Sequence, residues 1–424
     1  MARKMKDSGI EWIGEIPEGW EITRLKYLAD FEPTCDTSYL TDESKITYTP
    51  MECVKNGGFE NRSALYGNLS HTLTPFQNGD IAMAKVTPCF ENGNIAIMDN
   101  LFSGFGLGSS ELFIFRPKSI STRYFFYWLQ NKAFVARACS TMTGTGGLKR
   151  ISPSFIRNCP VHCPSTDEQT KISDYLDAKC SKIGDLLTSV HASIEEYKKL
   201  KQAVITQAVT KGVRGEREIK ESKLPWASKI PKAWNICAIR HIMFECKERT
   251  KDGHEEQLSV TQQFGIIKSS DASIANPSLS LDDWRIVAIG DIVFNKYKAH
   301  SGVFFVSPFS GIVTFNYSVY RCFPNCYAKY FEYQYKTHGC ISEFRTRMHG
   351  VGNSISPLYT KDLMKIKVVC PPLDEQKEIA NYLDAKCAEI DKLIAKKEQL
   401  VKELENYKKS LIFEYVTGKK ELRR

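Results

Sequence analysis

Two C-x3-C pairs, Cys159/Cys163 and Cys322/Cys326, are the most closely spaced cysteines, and His162 beside Cys163 could add an imidazole to a soft-ligand metal site. No second C-x2-C or H-x3-H follows at zinc-finger spacing, so the fourteen cysteines are read as thiols and no metal ligand is assigned. The segment TGTGGLKRIS (Thr143–Ser152) resembles a phosphate cradle only superficially. A P-loop needs Ser or Thr after its Gly-Lys, whereas Lys149 is followed by Arg150 in a loop that comes after a helix. H-E-x-x-H, G-x-S-x-G and His-x-Glu…Cys-x-x-Cys are missing. The single Pro-Pro lies in Cys370-Pro371-Pro372-Leu373, so the Asn-Pro-Pro-aromatic signature of an adenine methyltransferase is missing too. No catalytic constellation remains.

What remains suits binding. Arg and Lys among Gly, Asn, Ser and Thr can donate to phosphates and to base edges. The candidates in the first half are Lys85, Thr145, Lys149 and Arg150; in the second they are Lys296, Lys298, Arg345, Arg347, His349 and Asn353. Each residue alone reads first as a solvated surface charge. Together they carry more weight, because a second Gly/Ser-rich basic loop, RMHGVGNSIS (Arg347–Ser356), recurs where the halves otherwise differ.

The elements that must hold these loops come in two copies. Shifted by 207 residues, DEQTKISDYLDAKCSKI (Asp167–Ile183) lies over DEQKEIANYLDAKCAEI (Asp374–Ile390) with eleven of seventeen positions identical. The register persists to Val209-Thr210 over Val416-Thr417. Upstream, Trp12, Ile16-Pro17 and Trp20 pair with Trp226, Ile230-Pro231 and Trp234, and Gly79-Asp80-Ile81 echoes Gly290-Asp291-Ile292. Both similar segments predict long helices. Apolar residues recur every three or four positions from Leu176 to Ala208 and from Leu383 to Tyr415, interrupted by Lys201, Lys397 and Lys408. Ser165, Thr166 and Asp374 are candidate N-caps. A single apolar stripe on so long a rod needs a partner, and the other copy is the nearest one. Between the rods, GDIAMAKV, NIAIM, ELFIF, GDIVFNKY, GVFFV and SVYRCF predict strands, and Arg123–Cys139 and Lys329–Arg347 each predict a helical stretch.

The chain has 424 residues, 42% of them hydrophobic and 25% charged, which excludes a disordered chain. Lys and Arg exceed Asp and Glu by 58 to 49, leaving +9, a balance that permits an acidic partner without requiring one. No apolar run reaches the ~18 residues of a membrane helix, and MARKMKDSGIEW has no signal-peptide core, so a cytoplasmic location is expected.

With these features in place, the chain resembles the DNA-specificity subunit of type I restriction–modification systems. The resemblance rests on W-I-G-E-I-P-E-G-W (Trp12–Trp20) and its partial copy at Trp226–Trp234, P-S-T-D-E-Q (Pro164–Gln169), P-P-L-D-E-Q (Pro371–Gln376), both Y-L-D-A-K segments, and the endings A-V-T-K-G and Y-V-T-G-K. The first copy departs from the proline-rich pattern, and Ala233 stands where the first Trp segment has Gly19. The resemblance implies an α+β fold: two mixed α/β target-recognition domains, residues 1–163 and 213–370, separated by spacer helices, 164–212 and 371–424, that form an antiparallel coiled coil in a pseudo-two-fold tandem repeat. It implies a non-catalytic subunit that reads a bipartite, asymmetric double-stranded DNA target and docks two methyltransferase subunits and motor–nuclease subunits. S-adenosylmethionine, ATP and Mg would belong to those partners, and this chain would hold no cofactor. The expected partner interface comprises Asp167, Glu168, Gln169, Tyr175 and Leu176 with Asp374, Glu375, Gln376, Tyr382 and Leu383. The competing readings are a free-standing methyltransferase or nuclease, opposed by the missing motifs, and a coiled-coil scaffold without a restriction–modification role.

Overall fold

A computed structural model describes residues 3–422 other than 71, 146, 252, 263, 273–280, 282 and 349–356. The chain folds into two compact units, one made of Met1–His191 and Gln399–Arg424, the other of Ala192–Glu398. Each unit takes a part of both long helices, so the units cut across the four expected segments.

The first long helix runs Thr166–Lys211 and the second Leu373–Val416. Ser165 Oγ accepts the Glu168 N–H at 3.4 Å, the N-cap contact its sequence position suggests. Asp374 is not a cap. The second helix already begins at Leu373, so Asp374 lies in its first turn, where a carboxylate opposes the positive end of the helix dipole.

Within each unit the two helices pack side by side with opposite chain direction. In the second unit Tyr197 meets Lys397 and Lys201 meets Asp391, so partner numbers fall along one helix as they rise along the other. In the first unit Tyr175 and Tyr415 pack with ring centroids 4.5 Å apart. Two of the three lysines that interrupt the apolar stripes are thereby explained. Lys201 pairs with Asp391 at 2.6 Å, and the Lys397 ammonium lies 5.6 Å from the Tyr197 ring centroid.

Each unit adds sheets to this pair. In the first, strands Ile95–Met98, Asp80–Ala84, Leu112–Pro117 and Ala29–Phe31 lie in that order, all antiparallel. In the second, Phe304–Val306, Ile292–Asn295, Tyr317–Cys322 and Met243–Cys246 repeat the order and direction. A further sheet in the first unit orders Arg62–Leu65, Lys45–Thr49, Phe105–Gly108 and Thr74–Gln77. Its counterpart in the second is a hairpin, Leu258–Thr261 with Gly265–Lys268, and a pair, Arg285–Val287 with Gly311–Val313, joined by a parallel bridge from Gln257 to Ile312.

The predicted aromatic helices are each broken in two. Thr122–Trp128 is followed by Lys132–Ser140, and Ala328–Tyr335 by His338–Thr346. The breaks lie where Asn131 and Thr337 accept the N–H of Phe134 (2.9 Å) and Cys340 (3.4 Å), each capping a new helix.

The Gly-Asp-Ile echo is a repeated brace. Gly79 and Gly290 adopt φ of 86° and 90°, which a side chain would resist. The turn they make buries Asp80 and Asp291, and each takes a two-pronged guanidinium at 2.8–2.9 Å, from Arg116 and Arg321.

His162 sits in the core of the first unit, stacked on Trp20. Its Nε2 is 2.6 Å from the Val416 carbonyl oxygen, which can only accept, so Nε2 carries a proton and donates there. Burial holds its pKa down to about 4, below the usual 6.5. The unfolded chain therefore takes up this proton first as pH falls. Stability from this group is complete above about pH 6.5 and is lost towards pH 4, by roughly 3 kcal/mol in all. In the second unit Val369 takes the equivalent strand position, opposite Ile236 as His162 is opposite Ile22. His162→Val is expected to flatten the acid limb of urea denaturation between pH 4 and 6.5; an unchanged limb would assign it to other groups.

Candidate nucleic-acid interface

Residues 143–145 and 147–151 fold back onto the end of strand Asp80–Ala84. Arg150 bridges both Val86 and Thr143, the Ile151 N–H donates to the Lys85 carbonyl at 3.0 Å, and the Thr87 N–H donates to that of Lys149 at 3.0 Å. Thr87 Oγ1 ties the loop again, donating to the Gly147 carbonyl and accepting from the Lys149 N–H, both at 2.9 Å. The four sequence candidates of the first half thus share one surface: Thr145, Lys149 and Arg150 exposed, Lys85 half-buried. The Lys85 ammonium lies 5.4 Å from the Phe113 ring centroid.

A carboxylate lies among these cations that sequence reasoning missed. Glu111 receives Arg150 Nε at 2.9 Å and Nη2 at 2.7 Å, and its backbone carbonyl accepts the Lys85 N–H at 3.0 Å. The Arg150 hydrogen bonds, then its charge and that of Lys85, hold the Glu111 carboxyl below its usual range. Nothing local in Ser109–Leu112 signals this role, because the partner is 39 residues away.

In the second unit Lys296–Ser301 forms a short helix whose N-cap, Asn295, accepts the N–H of Tyr297 (3.0 Å) and Lys298 (3.1 Å). It packs against His338–Thr346, which carries Arg345. Lys298 and Arg345 are exposed, and Lys296 and Arg347 half-buried. The Arg347 Nε is buried without a hydrogen-bond partner among the described residues. His349 and Asn353 lie outside the described residues.

The D-E-Q segments act inside their own units. Glu375 accepts Trp234 Nε1 at 2.9 Å and Arg217 at 2.6 Å; Glu168 does the same for Trp20 (2.9 Å) and Arg3 (2.6 Å). Gln169 accepts the Ser121 N–H and donates to the Pro164 carbonyl, as Gln376 does with Tyr327 and Pro371. Gln169, Leu176, Glu375, Gln376 and Leu383 are all buried. This corrects the expectation of a partner-facing surface at these five positions: hydrogen bonding and packing engage them in the chain's own core. Glu168 and Tyr175 are half-buried, while Asp167, Asp374 and Tyr382 are exposed. The Asp of each Y-L-D-A-K, Asp177 and Asp384, accepts a tyrosine hydroxyl at 2.6 Å, from Tyr127 and Tyr333. Tyr124 and Tyr330 hydroxyls donate to the carbonyls of Val416 and Val209 in the last turns of the helices, Val416 sharing its oxygen with His162. The recurrence of Arg3 as Arg217 and of Tyr127 as Tyr333 was the sequence signal available for these braces. Among the described residues, no group of three or more His, Cys, Asp or Glu is arranged to hold a metal ion.

Comparison with known proteins gives a consistent picture. Residues 17–196 and 262–405 match the type I restriction modification DNA specificity domain. A 163-residue stretch is 35% identical to the Escherichia coli type I restriction enzyme EcoEI specificity subunit; it makes up 37% of this chain and spans 27% of that relative's length. The type I restriction enzyme MjaVIII specificity subunit of Methanocaldococcus jannaschii is 22% identical over 431 residues, 95% of this chain and 93% of that one. A chain from a solved structure on the type I R-M system shares the fold, with a TM-score of 0.69 at 14% identity, covering 95% of this chain and 98% of that chain.

Proposed function

The chain belongs to the type I restriction modification DNA specificity family, and from that premise we propose that it reads a bipartite, asymmetric DNA target for a restriction–modification complex without catalysing a reaction itself. One observation carries this reading: two units with the same braces and sheet order present different basic loops. The Asp80–Arg116 and Asp291–Arg321 braces repeat, whereas the segments that follow the two Asp-bearing strands differ in sequence and form: residues 85–90 (KVTPCF) make turns, and Lys296–Ser301 (KYKAHS) makes a short helix. A shared frame with divergent loops suits two readers of different short sequences, because loops on a rigid scaffold can vary without loss of the core. Duplex DNA has local two-fold symmetry, and a tandem repeat would present one adenine on each strand to one methyltransferase copy.

On this reading two methyltransferase subunits and motor–nuclease subunits dock on the chain in the cytoplasm. S-adenosylmethionine, ATP and Mg act on those partners. Exposed Asp167, Asp374 and Tyr382 remain available for docking; the buried positions support it only by shaping the helices that carry them.

Exchange of residues 1–160 with the corresponding segment of a relative tests the proposal. Methylome mapping should show one half-site replaced and the other retained, because separately cored units share few contacts. A swap that altered both half-sites would overturn the two-reader reading. Lys149→Ala should weaken DNA binding and reduce the salt-dependence slope by about one unit, as loss of one phosphate contact does. An unchanged slope would make Lys149 a solvated charge.

A further inference from the structure

We infer that Arg150 reads a guanine edge in the first half-site and that Glu111 is the residue that positions it. The inference rests on the two-reader reading above and says which chemistry its first loop uses.

A guanidinium has five N–H donors in a planar fork. Glu111 takes one from Nε and one from Nη2, at 2.9 and 2.7 Å. The two N–H of Nη1 and the second of Nη2 remain, and they leave the far end of the plane as a second fork. The Arg150 side chain retains 49% exposure, and its hydrogen bonds to described residues all go to Glu111 through Nε and Nη2. Two parallel donors on one plane match the O6 and N7 acceptors of guanine in the major groove.

The pair is also fixed at both ends. Arg150 exchanges backbone hydrogen bonds with Thr143, at 2.8 Å as donor and 3.1 Å as acceptor. Glu111 is held through its N–H to Ser109 Oγ at 3.2 Å and through its carbonyl to the Lys85 N–H at 3.0 Å. A side chain gripped this way loses little further freedom on meeting a base, whereas a free arginine can follow any phosphate. The negative charge of Glu111 disfavours an adjacent phosphate and leaves the guanidinium edge as the contact. Lys149 contrasts with it: its ammonium is exposed, has no partner among the described residues, and is a point charge suited to phosphate. The second unit builds this position differently. Leu112 faces Ala84 as Tyr317 faces Asn295, so Asn316 takes the place of Glu111. The two readers therefore differ in chemistry at equivalent points.

The test uses the full chain reconstituted with its methyltransferase subunits and duplexes carrying all four base pairs at each first-half-site position. Arg150→Lys keeps the charge and loses the fork. It should reduce discrimination at one G·C pair by roughly 5- to 150-fold, the worth of one bidentate contact, and leave the salt slope unchanged. Glu111→Gln should relax the same position while non-specific affinity holds or rises, an outcome that a purely structural role would not give. Thermal unfolding reports whether each variant folds, and Arg150→Lys decides the matter if Glu111→Gln does not fold. If the wild-type complex selects a bipartite site and Arg150→Lys leaves every position of it equally selective, the guanine assignment is overturned and the two-reader reading survives. If the wild-type complex selects no bipartite site, the two-reader reading itself fails.

Discussion

Glu375→Ala is expected to destabilise the second unit by about 3–5 kcal/mol, the usual cost of removing one partner from a buried charged cluster. The Glu375 side chain is 7% exposed and serves three groups: Trp234 Nε1 at 2.9 Å, Arg217 at 2.6 Å and Arg214 at 3.6 Å. Its loss would leave the Arg217 charge facing a cavity and the indole N–H without an acceptor. Arg217 also lies over the Trp234 ring, 5.2 Å from its centroid, so its displacement would disturb the aromatic packing as well. Glu168→Ala should cost less, because the Glu168 side chain is 29% exposed and water can reach the groups it leaves. Urea denaturation of both variants checks the order. Equal losses would show that solvent access does not set the cost.

The second large effect concerns helix phase. Insertion of two residues between Leu200 and Lys201 turns the following helix through about 200°. Ile205, Ala208 and Val209, now buried in the core of the second unit that also holds Ile379, Ala380 and Leu383, would be carried to the opposite side. Exposure of Ile205 and Val209 alone should cost about 3–6 kcal/mol. The Tyr330 hydroxyl would also lose the Val209 carbonyl. Four inserted residues turn the helix through about 400°, which returns the stripe to within ~40° and lengthens the rod by ~6 Å. The four-residue variant should therefore melt higher than the two-residue one. On the proposed reading it should also widen the gap between half-sites by one or two base pairs, since DNA rises 3.4 Å per pair. Equal melting of the two variants would mean that helix phase does not hold the stripe, and an unchanged gap would mean that the helices are not the spacer.

The long helices and their duplication were legible from sequence because their signals are periodic and local. The three- and four-residue spacing from Leu176 to Ala208 specifies a helix face, and repetition supplies the partner for that face. The Gly-Asp-Ile echo was likewise legible as a repeat and its runs as strands, while the turn that leads into each strand came from the structure. The arginines that complete those turns, Arg116 and Arg321, could not be paired with Asp80 and Asp291 by spacing alone.

Other roles were decided by tertiary structure. The D-E-Q segments read as a partner surface, yet Glu375, Gln169 and Gln376 are turned into their own units by Trp234, Ser121 and Tyr327, residues far away in the chain. His162 read as a possible ligand beside cysteines, and folding gives its ring the carbonyl of Val416, 254 positions later. Arg150 was visible as a basic loop residue, but not that Glu111 takes two of its five donors. Periodicity lets a sequence determine which face of an element is apolar. Hydrogen bonds and ion pairs are short-ranged and directional, so which donor meets which acceptor is decided only when chain closure brings distant segments within about 3 Å.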